Sequence, residues 1–262
     1  MNRLLNRMLA SAALIALTST AWAGSPDEAV SKQNEVYVSG DLGNAWINTP
    51  NKNIITSEDI ANLDVCDGSN VSCTLDGSNK EGHLAGGVNV GYNRLINNRI
   101  RVGAEFGYNN NGQSKYTESY SKTTIFNMPI DVVTHNGDGT LKVTSKDFHL
   151  LATTSVGLGY GFEVFGKAGA ARVKQTGKLS GTYDDLSDSS KFSDTQYEPM
   201  LATGLGYRYK AVYVFAQYTH TFGKNISNFD DLVELNSNNE LQFANIASVD
   251  AVKGGVAFTL AI

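Results

Sequence analysis

Several charged or amide side chains stand alone within apolar or glycine-rich segments, where residues of these types could pair out of contact with water. Glu105 lies in RVGAEFGYN and Lys167 in FEVFGKAGA, at comparable distances from the start of an alternating apolar pattern. Opposite charges in a confined space should pair, because an unpaired buried charge is costly. We expect Asp41, Glu105, Lys167 and Gln217 to meet at one level, with Arg101 one layer below. The predicted ionic network comprises Asp41, Arg101, Glu105, Lys167, Gln217 and Lys253.

The histidines offer little for nucleophilic catalysis, which requires a nucleophile and a base within hydrogen-bond reach. They are His83, His135, His149 and His220. Strand alternation places His149 on the side of the charged network, whereas His220 faces the opposite side beside Tyr218 and Phe222. Serine, histidine and an acid do not share one outward patch. We therefore expect no catalytic residues and a protein that is not an enzyme, with lipid modification as the least favoured alternative.

Eight segments carry the alternation that predicts β-strands. The final segment is an example, since Val252, Val256, Phe258, Leu260 and Ile262 alternate with Lys253, Gly255, Ala257 and Thr259. Each segment is close to the nine to eleven residues that a tilted transmembrane strand needs. The predicted strands are 35–46, 82–93, 99–109, 146–156, 162–173, 197–207, 211–222 and 248–262.

The connectors between these segments alternate in length. RLINN, GLGYG and RYK are tight, whereas the others are long and polar. This sorting is typical of an outer-membrane barrel, with short turns at one end and long extracellular loops at the other. We predict an all-β, eight-stranded, antiparallel up-and-down transmembrane barrel at residues 35–262, with long loops at 47–81, 110–145, 174–196 and 223–247.

The second long loop contains a strong turn signal. HNGDG is flanked by 124–134 and 139–145, a pattern that predicts a hairpin rising above the membrane. The same residues could instead add two strands and make a ten-stranded barrel.

Side-chain pattern assigns the two faces of each strand. Val102, Ala104 and Phe106 alternate with Arg101, Gly103, Glu105 and Gly107. Glycines on the outside of a soluble barrel would only weaken the strands, but inside a narrow barrel they leave room for long polar side chains. We therefore expect the apolar set to face lipid and the charged and small set to face the lumen. Eight strands enclose little more than their own side chains, which favours an ionic plug over a gated path for ions.

The first 23 residues have the pattern of a secretory signal peptide. Arg3 and Arg7 precede an apolar run that ends in Ala21-Trp22-Ala23, and the run is too short for a membrane-spanning helix. We expect export by a cleaved signal peptide, residues 1–23, and a short polar segment at 24–34. The chain carries a formal charge of −5, which argues against a nucleic-acid partner.

Two cysteines, Cys66 and Cys73, lie in the polar segment CDGSNVSC. In an oxidising compartment a disulfide is favoured, and closing so short a loop contributes about 2.5 kcal/mol in the chain-entropy estimate. A metal site is disfavoured because two thiolates without a nearby histidine make an incomplete ligand set. DGSN at 67–70 and 76–79, with Asp64, lacks the ligand spacing of a calcium loop. We expect a solvated acidic loop and no metal or cofactor.

Three stretches resemble the OmpA-like transmembrane domain family, which includes opacity-type and OmpX-like barrels. They are RVGAEFGYN, AQYTHTFG at 216–223 and VKGGVAFTL at 252–260. Gln217 stands where the family has an acid. The resemblance implies outer-membrane lipid and lipopolysaccharide of a Gram-negative cell as surroundings, without a following peptidoglycan-binding domain. It also implies recognition by the barrel-assembly machinery through an insertion signal of Lys253, Gly255, Phe258, Leu260 and Ile262.

Exposed loops on a rigid scaffold commonly carry recognition. We therefore expect a monomer with a structural or surface-interaction role, in which the loops bind a host or environmental ligand. The alternative is a narrow pore for ions or small solutes.

Overall fold

Eight antiparallel strands close into a ring. The structure is a computed structural model that describes residues 34–49, 71–80, 82–97, 99–127, 130–183, 186–224, 226, 232–235 and 241–262. The predicted signal peptide and most of the polar segment after it lie outside these residues. Within the described part of the chain, no helix has the length and apolarity needed to cross a membrane.

The ring strands are neighbours in the order in which they occur along the chain. The last strand pairs with the first, from Glu35 opposite Ala261 to Ile47 opposite Val249, so the ring is closed at the membrane level. The ring consists of β1 (Asn34–Ile47), β3 (His83–Leu95), β4 (Ile100–Asn127), β5 (Ile130–Gly159), β6 (Phe162–Tyr183), β7 (Leu186–Tyr209), β8 (Val212–Thr221) and β11 (Val249–Ala261).

Three short strands lie in the connections. β2 (Val71–Lys80) pairs with the distal part of β4, between Lys115 and Thr124. β9 (Val233–Leu235) and β10 (Leu241–Phe243) form a separate two-stranded ribbon between β8 and β11. The ring therefore has the eight strands predicted from the sequence, and the ten-stranded alternative is wrong.

The strand positions are confirmed, but four strands are much longer than predicted. β4 and β5 extend through the predicted loop 110–145, and β6 and β7 through 174–196. HNGDG is not a turn: Gly137 lies inside β5, opposite Tyr120 of β4 and Tyr183 of β6. Pairing on both sides satisfies the backbone of this tract, so sheet context overrides its local turn preference.

The predicted assignment of faces is confirmed. Phe106 is 53% exposed, whereas Glu105 beside it is 2% exposed. In β11, Val256 and Leu260 face outward, and Lys253 is buried in the lumen. The tight connections also agree, and the β5–β6 and β7–β8 turns pass through residues with positive φ, Tyr160 at 53° and Lys210 at 55°.

Several inward glycines leave space for aromatic rings. A Cβ on Gly91 would overlap the ring of Tyr37, and one on Gly255 would overlap the ring of Phe215. These contacts allow large side chains to lie across the narrow lumen.

The interior divides into a polar part and an apolar part. At the membrane level it holds buried charges, with Tyr37, Phe165, Phe215 and Ala257 as a small cluster among them. In the long-connection half, a larger apolar core is formed by strand extensions and by the β8–β11 connection. Its members include Ile47, Tyr116, Leu141, Val143, Phe192, Ile226, Leu232, Phe243 and Val249.

Candidate functional site: the barrel lumen and the extracellular extension

The layer nearest the short turns is a four-membered ring of charges. Arg101 Nη1 lies 2.6 Å from Glu163 Oε1, and Arg208 Nε lies 2.9 Å from the same oxygen. Glu35 lies 3.7 Å from Arg101 and 3.1 Å from Arg208. Each carboxylate therefore contacts both arginines, and the four charges balance. The guanidinium of Arg208 also lies over the ring of Tyr213.

Sequence reasoning identified Arg101 in this layer and missed Glu35, Glu163 and Arg208. Glu163 shares strand parity with Lys167, two alternations along β6, and this parity could have revealed it. The other two lie close to strand ends, where the sequence does not show whether a side chain still faces the lumen.

The middle layer is the contact between Glu105 and Lys167. Lys167 Nζ lies 2.7 and 2.8 Å from the two carboxylate oxygens, and Tyr37 donates its hydroxyl to the same carboxylate at 2.7 Å. The ammonium lies 5.3 Å from the ring centre of Phe165 and 5.8 Å from that of Phe215. The carboxylate thus has three donor contacts, and the cation is enclosed by aromatic faces.

The third layer contains a longer polar chain. Lys253 Nζ lies 3.2 Å from Asp41 and donates to Asn109 at 2.6 Å. Asn109 donates to Asp147 at 3.0 Å, and His149 Nδ1 lies 2.9 Å from the same carboxylate. All five side chains are buried, so this layer crosses the lumen from β11 to β5.

The predicted network is therefore split between layers. Asp41 pairs with Lys253, away from the Glu105–Lys167 pair, so the expectation of a single level is wrong for Asp41. Separate cations serve the two carboxylates, which keeps like charges apart. Gln217 is buried, but its Oε1 accepts no hydrogen bond. His149 approaches Asp147, an acid that sequence reasoning did not include.

A cavity of about 50 Å³ lies between the first and middle layers. Its lining includes Glu105, Glu163, Lys167 and Arg208. A buried water needs roughly 10–15 Å³ of such volume, so the cavity can hold a few waters. Charges border it on both sides, and it is too small for a hydrated solute to pass.

The β8–β11 connection folds into the opposite mouth of the barrel. Ile246 and Ala247 are each 1% exposed. Gln175 of β6 donates to the carbonyl of Ala247 at 2.7 Å and accepts from its amide at 3.0 Å. Lys224 adds a backbone hydrogen bond to Ile246. We call residues 241–248, held in this way, the cap.

A separate polar cluster lies on the lipid-facing side of β8 and β11. His220 Nδ1 lies 2.7 Å from Asp250, and Tyr218 donates to the same carboxylate. The outward direction of His220 agrees with the sequence prediction, whereas its acidic partner Asp250 was missed. Among the described residues, no serine hydroxyl contacts His220 or Asp250. The cluster therefore has a base and an acid but no evident nucleophile.

The described residues contain no group of three or more metal-ligating side chains. The predicted disulfide between Cys66 and Cys73 lies outside the part of the chain that the structure describes, because Cys66 is not among the described residues. Within the predicted insertion signal, Lys253 is buried in the lumen, whereas Phe258, Leu260 and Ile262 point outward. Gly255 packs against Phe215.

Comparison with solved structures finds similar barrels at low identity. Ail, the attachment invasion locus protein of Yersinia pestis, is 13% identical with a TM-score of 0.38, covering 88% of this chain and 100% of its own. The N-terminal β-barrel domain of Pseudomonas aeruginosa OprF is 13% identical with a TM-score of 0.31, at the same coverages. The outer-membrane protease OmpT from Escherichia coli is 12% identical with a TM-score of 0.39, covering 92% and 99%. Similarity at this level carries no information about activity.

No curated protein matches the chain at a significant level. The profile of the OmpA-like transmembrane domain matches residues 31–247, which include seven of the eight ring strands. This match spans well over half of the sequence, and the chain therefore belongs to the OmpA-like transmembrane domain family.

Proposed function

We propose that this protein is a non-enzymatic, monomeric outer-membrane barrel that presents a rigid β-structured extension for interactions at the cell surface. The observation that carries the proposal is the continuity of β4 to β7 from the lipid-facing band into the extension. β4 and β5 remain paired from Ile100 opposite Val156 to Asn127 opposite Ile130. A binding surface built in this way is fixed in position by the membrane-embedded part of the same strands.

The interior of the extension supports a rigid surface. Tyr116, Leu141, Val143 and Phe192 are all buried, and the ring of Phe192 packs edge-on against Phe243 at 4.7 Å. Preorganised surfaces bind with a smaller entropic penalty than flexible loops. The apolar core therefore favours recognition by a prearranged face.

The same proposal includes the route to the membrane. We infer that residues 1–23 are cleaved on export to the outer membrane of a Gram-negative cell, and that the assembly machinery recognises β11. Support comes from the outward row of Phe258, Leu260 and Ile262, each more than 60% exposed.

The test is an excision that respects the strand register. Gln113 lies opposite Thr144, so joining these two residues through Asn-Gly removes 114–143 and leaves the membrane-level pairs intact. We expect cells carrying this variant to lose adhesion to matrix-coated or host-cell surfaces while the barrel keeps its heat-modifiable gel mobility. Lys167→Met serves as the matched control, because it alters the lumen and leaves the extension unchanged. Unaltered adhesion of the excised variant would oppose the proposal.

A narrow pore is the second candidate, and the small cavity between the charged layers is the observation that favours it. The ion pairs on both sides of that cavity and the cap above it favour a closed lumen. We expect no stepwise conductance in planar bilayers from the native protein or from Lys167→Met. A large conductance after this substitution would instead favour a gated ion path.

A further inference from the structure

Lysines form a row across the outer face of the extension. Lys142 of β5 lies directly opposite Lys115 of β4 and Lys178 of β6, and Lys178 lies opposite Lys191 of β7. Lys178 and Lys191 are exposed, and the other two are half-buried. Strands lie about 4.8 Å apart, so the row spans roughly 14 Å.

A second row of cations lies closer to the membrane. Lys146 pairs with Lys174, and Arg172 lies opposite Phe148 and Tyr197, two exposed aromatic residues at the upper limit of the apolar band. Four residues separate the rows along β5, which corresponds to roughly 10 Å along the barrel axis after allowing for strand tilt. We call the set the lysine face; it comprises Lys115, Lys142, Lys178 and Lys191 above and Lys146, Lys174 and Arg172 below.

Among the described residues, no outward carboxylate lies within or between the two rows of the lysine face. None of its members forms an ion pair with a carboxylate in the part of the chain that the structure describes. The residues between the rows are neutral, with Thr144 opposite Thr176 and Thr176 opposite Ser193. Like charges directly opposite each other destabilise a sheet. The chain as a whole is acidic, at −5, so general basicity does not explain the cluster.

We propose that the lysine face binds the phosphate groups of the surrounding outer-leaflet glycolipid, lipopolysaccharide. The face is on the lateral surface of the barrel and not at the hairpin tips, so it meets neighbouring membrane molecules. Its lower row adjoins the apolar band, where phosphates at the lipid end of a glycolipid lie. Its upper row lies at the height of phosphates carried on core sugars. The inference relies on the extension rising above the membrane, and it does not require an adhesive ligand.

Lysine and arginine are both suited to this role. Each ammonium near an anionic lipid surface contributes attraction that falls off within a Debye length. The hydroxyls of Thr144, Thr176 and Ser193 add neutral donors between the two rows. A phosphate-bearing glycolipid can thus contact cations and hydroxyls together.

The test is titration of the full-length protein in mild detergent with purified rough lipopolysaccharide that carries a phosphorylated core, counted by native mass spectrometry. For K142S/K178S/K191S we expect roughly a hundredfold weaker binding, because each lysine near an anionic surface contributes about a factor of five. K142R/K178R/K191R should bind like the native protein. Dephosphorylated lipopolysaccharide should bind the native protein at least as weakly as phosphorylated lipopolysaccharide binds the serine variant.

The matched control removes the same charge at the other end of the barrel. Arg94, Arg99 and Lys210 are exposed near the short turns, and Lys210 has a φ of 55°, which asparagine tolerates. R94S/R99S/K210N should bind lipopolysaccharide like the native protein. Equal loss in this control, unchanged binding by the serine variant, or tighter binding of a soluble sulfated oligosaccharide than of lipopolysaccharide would each overturn the proposal. Heat-modifiable mobility verifies that every variant is folded.

This experiment separates the two proposals. If the serine variant binds lipopolysaccharide normally while excision of 114–143 abolishes adhesion, only the glycolipid inference fails. If the serine variant loses lipopolysaccharide and the excised protein still adheres, the adhesive function fails and the glycolipid site stands.

Discussion

In the lower half of β5 the apolar side chains face outward and the polar ones inward, and in the upper half this distribution is reversed. At the membrane level Leu150 is exposed to lipid and His149 is buried in the lumen, whereas above it Val143 is buried and Lys142 lies on the outer face. Odd-numbered residues face inward from Gly137 to Ser155. What changes is the surroundings, because hydrocarbon encloses the lower half and water the upper half. The reversal marks the upper limit of the membrane near Asp147 and Phe148.

These different surroundings explain why the interior of the lower half is ionic and the interior of the upper half is apolar. In the lower half, lipid receives the apolar side chains, and the narrow lumen must hold polar residues that neutralise one another. In the upper half, burial of apolar side chains away from water stabilises the extension as it would a soluble protein. The following substitutions test this difference, from the largest expected effect to the smallest.

Lys167→Met removes the cation of the middle layer and leaves Glu105 buried without it. Breaking a buried pair costs about 3–5 kcal/mol, so the free energy of unfolding in urea, measured in lipid vesicles by gel mobility, should fall by that amount. E105Q/K167M should recover much of the loss. Equal stability of the native and Lys167→Met proteins would contradict ion pairing as a support of the lower half.

Leu141→Ala creates a cavity in the upper core. The expected loss is about 3 kcal/mol, confined to the extension, because Leu141 is a member of the upper apolar core. Hydrogen exchange at 137–143 should accelerate while heat-modifiable mobility is retained. Lys142→Ala, one residue along the strand and on the outer face, is the control. Global unfolding of the Leu141 variant would show that the two halves are not independent.

Gln175→Ala removes both hydrogen bonds that hold Ala247. Loss of these contacts leaves buried backbone groups unpaired, and a penalty of about 2 kcal/mol is expected. Hydrogen exchange of the Ala247 amide should accelerate more than exchange within β6. If protection at Ala247 were unchanged, the cap would be held without Gln175, by apolar packing and the backbone contacts of Lys224.

Thr176→Val changes the outer face of the extension between the two lysine rows. A surface substitution of this kind should alter the free energy of unfolding by no more than about 0.5 kcal/mol. Urea unfolding is again the measurement, and Val143→Thr, which introduces the same hydroxyl difference on the inner face, should be clearly more destabilising. Comparable effects at both positions would contradict the assigned faces.

Sequence alone predicts the membrane-level barrel because its signals are local. Alternation in RVGAEFGYN places Phe106 and Glu105 on opposite faces without knowledge of any partner strand. The sequence predicts loops in place of the extension because its outer face is rich in lysine, threonine and serine, and its inward apolar residues are few. Only pairing with distant residues, such as Gly137 with Tyr183, shows that this tract is strand.

The layers of the lumen depend on register and could not be read from the sequence. The stagger between neighbouring strands decides whether Asp41 meets Glu105 or Lys253. Residue spacing along the sequence does not give this stagger. Asp250 was missed for a related reason, because it becomes informative only when β11 lies beside β8 and brings it to His220. Asp147 is two residues from His149 on β5, and this shared parity could have revealed it.

The closing ladder between β1 and β11 has a kinetic consequence. It joins residues from opposite ends of the barrel sequence, with Val36 opposite Leu260, and contacts of such long range form slowly. Until they form, each terminal strand exposes unpaired amide and carbonyl groups, which hydrocarbon tolerates poorly. Partly assembled chains must therefore be shielded from the bilayer centre, and completion of the ring is the step that commits the protein to its membrane.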